Sequence, residues 1–237
     1  MAISTNPLAW LRSVQPRRAI ALLLLLLPLT VGAQTVRDLW LSMPPSLAPY
    51  LSTSLRTQCL DFYDMHTDAQ TDNALKGKSR IDTLTSTFLA ATLSKAHTLQ
   101  MKLLPASGSA SGLGSSMVSG SSSSLSSCDS VLCVVRSWDG PKRDSEVQLF
   151  DRQWKPLQAP FTFSADSFVC RPDTMSEERF SRLVALLDPI MFSVSLSPAE
   201  NVLLVKLSPV VPNPEDEKAI EQILVQRKLK WDGKTFK

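Results

Sequence analysis

The chain has 237 residues, 43% of them hydrophobic, with 25 basic against 22 acidic side chains and four cysteines. A chain of this length buries a sizeable core without disulfide or metal staples. A charge balance so near neutral excludes the basic footprint of a nucleic-acid binder.

The amino end sets the compartment. Arg12, Arg17 and Arg18 precede an apolar run from Ala19 to Leu27, and Pro28, Val31, Gly32 and Ala33 follow it. This order predicts a secretory signal peptide over residues 1–33, cut between Ala33 and Gln34. The run is shorter than the roughly 20 residues a spanning helix needs, so contact with a membrane is expected only through this leader during export. No cysteine follows the cut to carry a lipid. Removing the three leader arginines leaves 22 basic residues against 22 acidic ones in residues 34–237.

Thr35 to Leu41 leads into Met43, Pro44, Pro45 and Ser46. Leu47, Tyr50, Leu51, Leu55, Cys59, Phe62 and Tyr63 then recur at helical spacing, predicting a helix over residues 46–65 capped by Ser46. Asp61, Asp64, Asp68 and Asp72 would stack along one solvated face if that helix ran on. Asp64, His66 and Asp68 resemble the start of a calcium loop, but Ala69 stands where glycine is required and the closing glutamate is missing, so no metal site is assigned. Cys59 reads as a small core residue. Cys128 and Cys133 lack a second ligand pair for zinc, and Cys128, Cys133 and Cys170 carry no pairing that the sequence fixes.

Three short strands are expected at Ile81 to Leu84, Phe88 to Leu93 and Leu99 to Leu104, as a meander. Residues 106–127, almost wholly serine and glycine, read as a flexible surface insertion. Val131 to Trp138 and Glu146 to Trp154, split by Asp139, Gly140 and Pro141, read as a central strand and its returning neighbour. A helix is expected over 176–188, starting at Thr174 or Ser176, with Thr174 and Glu177 at capping-box spacing and Pro189 as its stop. Ile190 to Leu196 and Val202 to Leu207 form a hairpin pattern. Asn213 and Pro214 open a last helix over 214–226, with Glu215, Asp216 and Glu217 in its first turn. Leu229 and Trp231 alternate with Lys228 and Lys230, and Asp232 and Gly233 signal a tight turn.

No nucleotide, metalloprotease or nucleophile-elbow motif appears. His66 and His97 each precede a threonine in polar surroundings and read as surface or turn residues rather than bases. The basic carboxyl end suits an anionic partner less well than it suits protection of an exposed sheet edge by lysines. No residue is assigned a catalytic role and no cofactor is expected.

Five segments carry a resemblance: V-R-D-L-W at Val36 to Trp40, M-P-P-S-L-A-P-Y-L at Met43 to Leu51, T-L-Q-M-K-L-L-P at Thr98 to Pro105, R-P-D-T-M-S-E-E-R-F at Arg171 to Phe180, and K-W-D-G-K-T-F-K at the end. Together they resemble a family of exported proteins of unknown function from Gram-negative anaerobes of gut and mouth. The resemblance implies export to the periplasm or cell surface and supplies no activity or catalytic residue. Pro45 stands where it leads one to expect Asp, and residues 106–127 exceed its usual connection. It also gives meaning to Asp82-Thr83-Leu84, Asp129-Ser130-Val131 and Asp173-Thr174-Met175, which look like the acceptor motif such anaerobes use for O-linked glycans. Of Ser130, Thr83 and Thr174, Ser130 is expected to be the most accessible because it adjoins the flexible loop.

The expected architecture is α+β, an antiparallel sheet covered by about three helices. Residues 34–165 and 166–237 form either one domain or two abutting lobes. The leading function is non-catalytic binding or support of another envelope component, an unknown protein or glycan. A secreted hydrolase using buried carboxylates is the alternative.

Overall fold

The computed structural model describes residues 34–106, 130–158 and 161–237, and Gln34–Lys237 is one compact unit. The leader and most of the serine-rich insertion, with Cys128 and Ala33, lie outside the described residues.

Two helices come first, α1 (Val36–Ser42) and α2 (Thr53–Asp64). Seven strands follow, β1 (Thr71–Asp72), β2 (Lys78–Leu84), β3 (Phe88–Ser94), β4 (His97–Pro105), β5 (Ser130–Asp139), β6 (Arg143–Phe150) and β7 (Pro156–Leu157). They pair antiparallel in sequence order, so each strand lies beside its neighbours in the chain. β4 and β5 stay in register from His97↔Trp138 to Pro105↔Ser130. After a short 3-10 turn, α3 (Glu177–Val184), β8 (Phe192–Leu196), β9 (Val202–Leu207), α4 (Pro214–Glu221) and β10 (Arg227–Lys230) complete the chain. β8, β9 and β10 form a second antiparallel sheet in the order β10-β9-β8. The α+β expectation holds, with four helices among the described residues.

β5 is the centre, and its residues Val131 to Val135 are all buried because both faces of the large sheet are covered. On one face Leu132 and Val134 join Leu99, Met101 and Leu89 against Val36, Leu39 and Trp40 of α1 and Cys59 and Leu60 of α2. On the other, Val131, Cys133 and Val135 meet Val194, Leu203 and Val205 of the small sheet, with Leu183 of α3 and Ile220 of α4. The period-2 alternation of the strand therefore separates two cores instead of a core from water.

Side chains of the large sheet tie β8 onto its face. The outward amides of β8 donate to them, Val194 N to Ser145 Oγ at 3.1 Å and Leu196 N to Gln100 Oε1 at 2.8 Å. Beyond its end, Lys102 donates from one buried ammonium to three carbonyls of the β8–β9 turn, Ser197 at 2.6 Å, Pro198 at 3.0 Å and Glu200 at 2.8 Å. Burial lowers the Lys102 pKa from its ordinary value, and nearby Glu200 opposes that shift.

Several boundaries differ from expectation. Thr35 caps α1 by a capping box with Asp38, a helix not expected from the sequence. α2 begins after Ser52, not Ser46, because Pro49 keeps Pro45 to Leu51 in turns, where Leu47, Ala48 and Leu51 are nevertheless buried. It stops at Asp64, so Asp68 and Asp72 lie off the helix and the acidic face does not form. Of the two starts expected for α3, Thr174 and Ser176, Ser176 is the cap, accepting Arg179 N. α4 ends early because Val225 N turns to Phe168 O at 2.8 Å and Cys170 N reaches Ile223 O at 2.8 Å.

Replacing Lys102 with Met keeps the stem but strips three carbonyls of their donor. Urea unfolding is expected to show a loss of about 3 kcal/mol, against under about 0.5 kcal/mol for the exposed Lys95→Met. Trp231 is 9% exposed and its Nε1 donates to Pro105 O at 2.7 Å, so Trp231→Ala should cost about 3–5 kcal/mol in the same measurement.

Candidate functional site

An apolar groove lies between the turn segment before α2 and the end of β6. Pro44, Ser46 and Leu47 form one wall, Val147 to Phe150 with Pro156 and Leu157 the other, and Trp154 and Arg136 complete a cavity of about 670 Å³.

Each wall is fixed by hydrogen bonds, buried on the first and at an exposed turn on the second. Arg56, 3% exposed, donates Nη1 to Trp40 O at 2.9 Å and Met43 O at 2.6 Å, while Trp40 Nε1 donates back to Arg56 O at 3.0 Å. This clasp holds the chain leaving α1 and sets where Pro44 to Leu47 begin. Opposite, Asp151 Oδ1 accepts Gln153 N at 2.8 Å and Lys155 N at 2.9 Å, closing a turn in which Trp154 takes φ 64°. A bulky residue in the left-handed region carries strain, and here the turn aims its ring at Phe150, 5.3 Å between centroids, and its Nε1 at Ser42 Oγ, 3.2 Å.

The polar end is Arg136. Its Nη2 donates to Glu146 Oε2 at 2.6 Å, and the guanidinium lies 5.4 Å from the Trp138 ring centroid. Its Nε is buried without a hydrogen-bond partner. Gln148 Nε2 donates to the other Glu146 oxygen at 2.6 Å. Trp138 in turn stacks on His97 at 5.2 Å, and His97 Nδ1 shares a hydrogen bond with the Tyr50 hydroxyl.

His97 corrects the sequence reading: it is 7% exposed, not a surface residue, because it opens β4 opposite Trp138 and is roofed by Tyr50. Burial, aided by nearby Arg136, pushes its pKa down to about 4, and burial raises that of Tyr50 to about 12. Both are neutral at pH 7. His66 does sit exposed in a turn, with φ 51°.

The other predicted positions do not converge here. Asp64 pairs with Arg37 instead of turning toward His66 or Asp68. Among the described residues no group of three or more His, Cys, Asp or Glu side chains is arranged to hold a metal ion. Cys59 and Cys133 are buried thiols and Cys170 an exposed one, all unpaired. The buried charged side chains described are Arg56 and Lys102, with neutral His97, and include no carboxylate. Ser130 is 8% exposed and its Oγ accepts from Arg152 Nε at 2.8 Å, so the expected accessibility order is reversed. Thr83 is half-buried in β2, whereas Thr174 stands exposed in a turn. The β5 pairing that begins at Ser130 draws its side chain into the sheet end. Sequence reading missed Arg136, Trp138 and Trp154 as a set, although the Asp151 to Trp154 turn was signalled by an aspartate closing an apolar strand.

Fold and groove together define an α+β protein of two face-packed antiparallel sheets, with an apolar cleft that ends in an arginine. Residues 28–119 and 122–236 match the model of a family described as "Protein of unknown function (DUF3256)", and the chain belongs to that family. No curated protein matches it. A solved domain of an uncharacterized protein from Porphyromonas gingivalis W83 has a similar fold, with a TM-score of 0.63 at 23% identity over 85% of this chain and 98% of that one. No helix among the described residues is long and apolar enough to cross a membrane.

The neutral state of His97 makes stability depend on pH. Its folded pKa lies below its ordinary 6.5, so the unfolded chain binds the extra proton first as pH falls. The stabilisation is present above about pH 6.5 and is lost progressively toward pH 4. Thermal unfolding across that window should show a falling Tm that is shallower in His97→Phe.

Proposed function

We propose that this chain is an exported, non-catalytic binding protein of the periplasm or cell surface. In this reading the groove between Leu47 and Trp154 holds an apolar chain whose anionic end meets Arg136. The carrying observation is the cavity itself: apolar walls, each fixed by hydrogen bonds, that end at a guanidinium with a buried donor left over. Its volume is in the range of small-molecule sites, and few polar groups on an apolar lining is their usual chemistry. The arginine and apolar leader supports export. Arg136 is held by Glu146 and stacked on Trp138, which suits a fixed anchor for a carboxylate.

Calorimetric titration of residues 34–237 tests this with dodecanoate and dodecanol. Dodecanoate should bind, and dodecanol should bind about tenfold more weakly. Leu47→Asp should abolish both, and Arg136→Gln should erase the preference for the acid. Absence of dodecanoate binding, or binding indifferent to Leu47→Asp, would overturn the reading.

A further inference from the structure

A second, chemically different surface lies on the β1 side of the large sheet. Lys76, Lys78, Arg80 and Lys95 line a cleft of about 690 Å³ together with Gln70, Leu75, Thr92 and Ser94. Two acids face it. Lys78 pairs with Asp72 at 2.6 Å and Arg80 with Asp82 at 2.7 Å, and Thr92 Oγ1 donates to Asp82 Oδ2 at 2.7 Å. Lys76 and Lys95, both exposed, have no ion pair among the described residues, so the cleft keeps excess positive charge in a chain that is otherwise balanced. At the basic carboxyl end Lys228 pairs with Glu200, Lys237 with Asp232, and Arg227 Nε donates to Ser167 O, while Lys230 and Lys234 are exposed but border no such cleft.

The rim of the cleft is built. Asn73, 6% exposed, donates Nδ2 to Ser79 Oγ at 3.0 Å and Leu93 O at 2.8 Å, and its Oδ1 accepts Leu75 N and Gly77 N, each at 3.0 Å. One buried amide thus fixes the whole turn. It holds Lys76 at φ 58° and displays Leu75 at 67% exposure. A Cβ at Gly77 would stand 3.1 Å from Asn73 Nδ2, so a larger residue there would press on this amide. Spending a buried hydrogen-bond network on a turn whose tip is an exposed leucine and a cation favours a preformed contact surface.

We propose that this cleft binds an anionic saccharide, a sugar bearing sulfate or phosphate esters. The cations of Lys76 and Lys95 take the ester groups. The hydroxyls of Thr92 and Ser94 and the amide of Gln70 suit sugar hydroxyls, and Leu75 gives the C–H face of a ring a place to pack. The cleft shares no residue with the Arg136 groove, so either site can stand without the other.

The test uses three polymers of one backbone, dextran sulfate, dextran phosphate and plain dextran, binding residues 34–237 at physiological ionic strength. At least one ester should bind and plain dextran should not; the tighter ester identifies the anion. Lys76→Glu with Lys95→Glu should weaken the bound ester by at least about tenfold. The same charge change at exposed Lys218 and Lys234 should alter it by less than about twofold. Equal weakening by both double variants would show diffuse attraction to net charge and overturn the site. So would failure of both esters to bind. Circular dichroism of the variants should be unchanged, because all four lysines are exposed.

Discussion

The structure depends on how an edge strand is satisfied away from its own sheet. β8 pairs with β9 on one side only, and its other side faces the large sheet. Unpaired amides in a buried layer would each cost free energy comparable to a lost hydrogen bond. Ser145 and Gln100 accept them, and Lys102 serves the carbonyls where the strand turns. Ser145 is itself steadied by Ser137 Oγ at 2.8 Å. Polar side chains on the inner face of an apolar sheet would be a defect elsewhere. Here they fix where the second sheet lies on the first, which apolar contact alone leaves free to slide.

Arg56 does the same for the opposite layer. Like Lys102 it is a buried cation whose described partners are backbone carbonyls and, for Arg56, a threonine hydroxyl, with no carboxylate. Desolvation lowers the pKa of both groups. A carboxylate partner would answer the charge more strongly, but it would hold only another side chain. Carbonyl partners hold loops: the exit of α1 for Arg56, the β8–β9 turn for Lys102. The groove wall at Pro44 to Leu47 starts one residue after a carbonyl that Arg56 clasps, so the shape of the cleft follows from that cation.

Much of the fold was legible because its strands are local. The β2, β3, β4 meander and the β5–β6 and β8–β9 hairpins each show their period and punctuation within about 30 residues, where sequence patterns are strongest. α1 was not expected, although the Thr35 to Asp38 spacing and the i, i+3, i+4 set Val36, Leu39 and Trp40 signal it; its seven residues are too few for the period to stand out. The start of α2 was misplaced because Leu47 and Leu51 fit a helical face; burial in a turn produces the same spacing. His97 and Lys102 could not have been recognised as buried. Their partners lie 47 and 95 residues away in the chain, and nothing local marks a polar residue as roofed by a distant tyrosine or turn. Ser130 failed for a related reason, since adjacency to a serine-rich segment says nothing about the strand that begins at that residue.

The candidate site was less legible than the fold because it is an intersection. Arg136 is a polar break in the apolar run of β5, ordinary for a strand emerging from a core. It acquires meaning only when Glu146 arrives opposite it in register, Trp138 stacks beside it and Pro44 to Leu47 close over the sheet. The Trp154 ring reaches the same space from a turn whose left-handed residue is a tryptophan, a conformation that composition would assign to glycine or asparagine. Such a residue is kept in place by what surrounds it, here the Asp151 turn, the Phe150 ring and the Ser42 hydroxyl. Its own turn, the neighbouring Phe150 and the distant Ser42 therefore hold one ring at the mouth of the cleft. Strain that persists only under such support is the kind that marks a site rather than a scaffold.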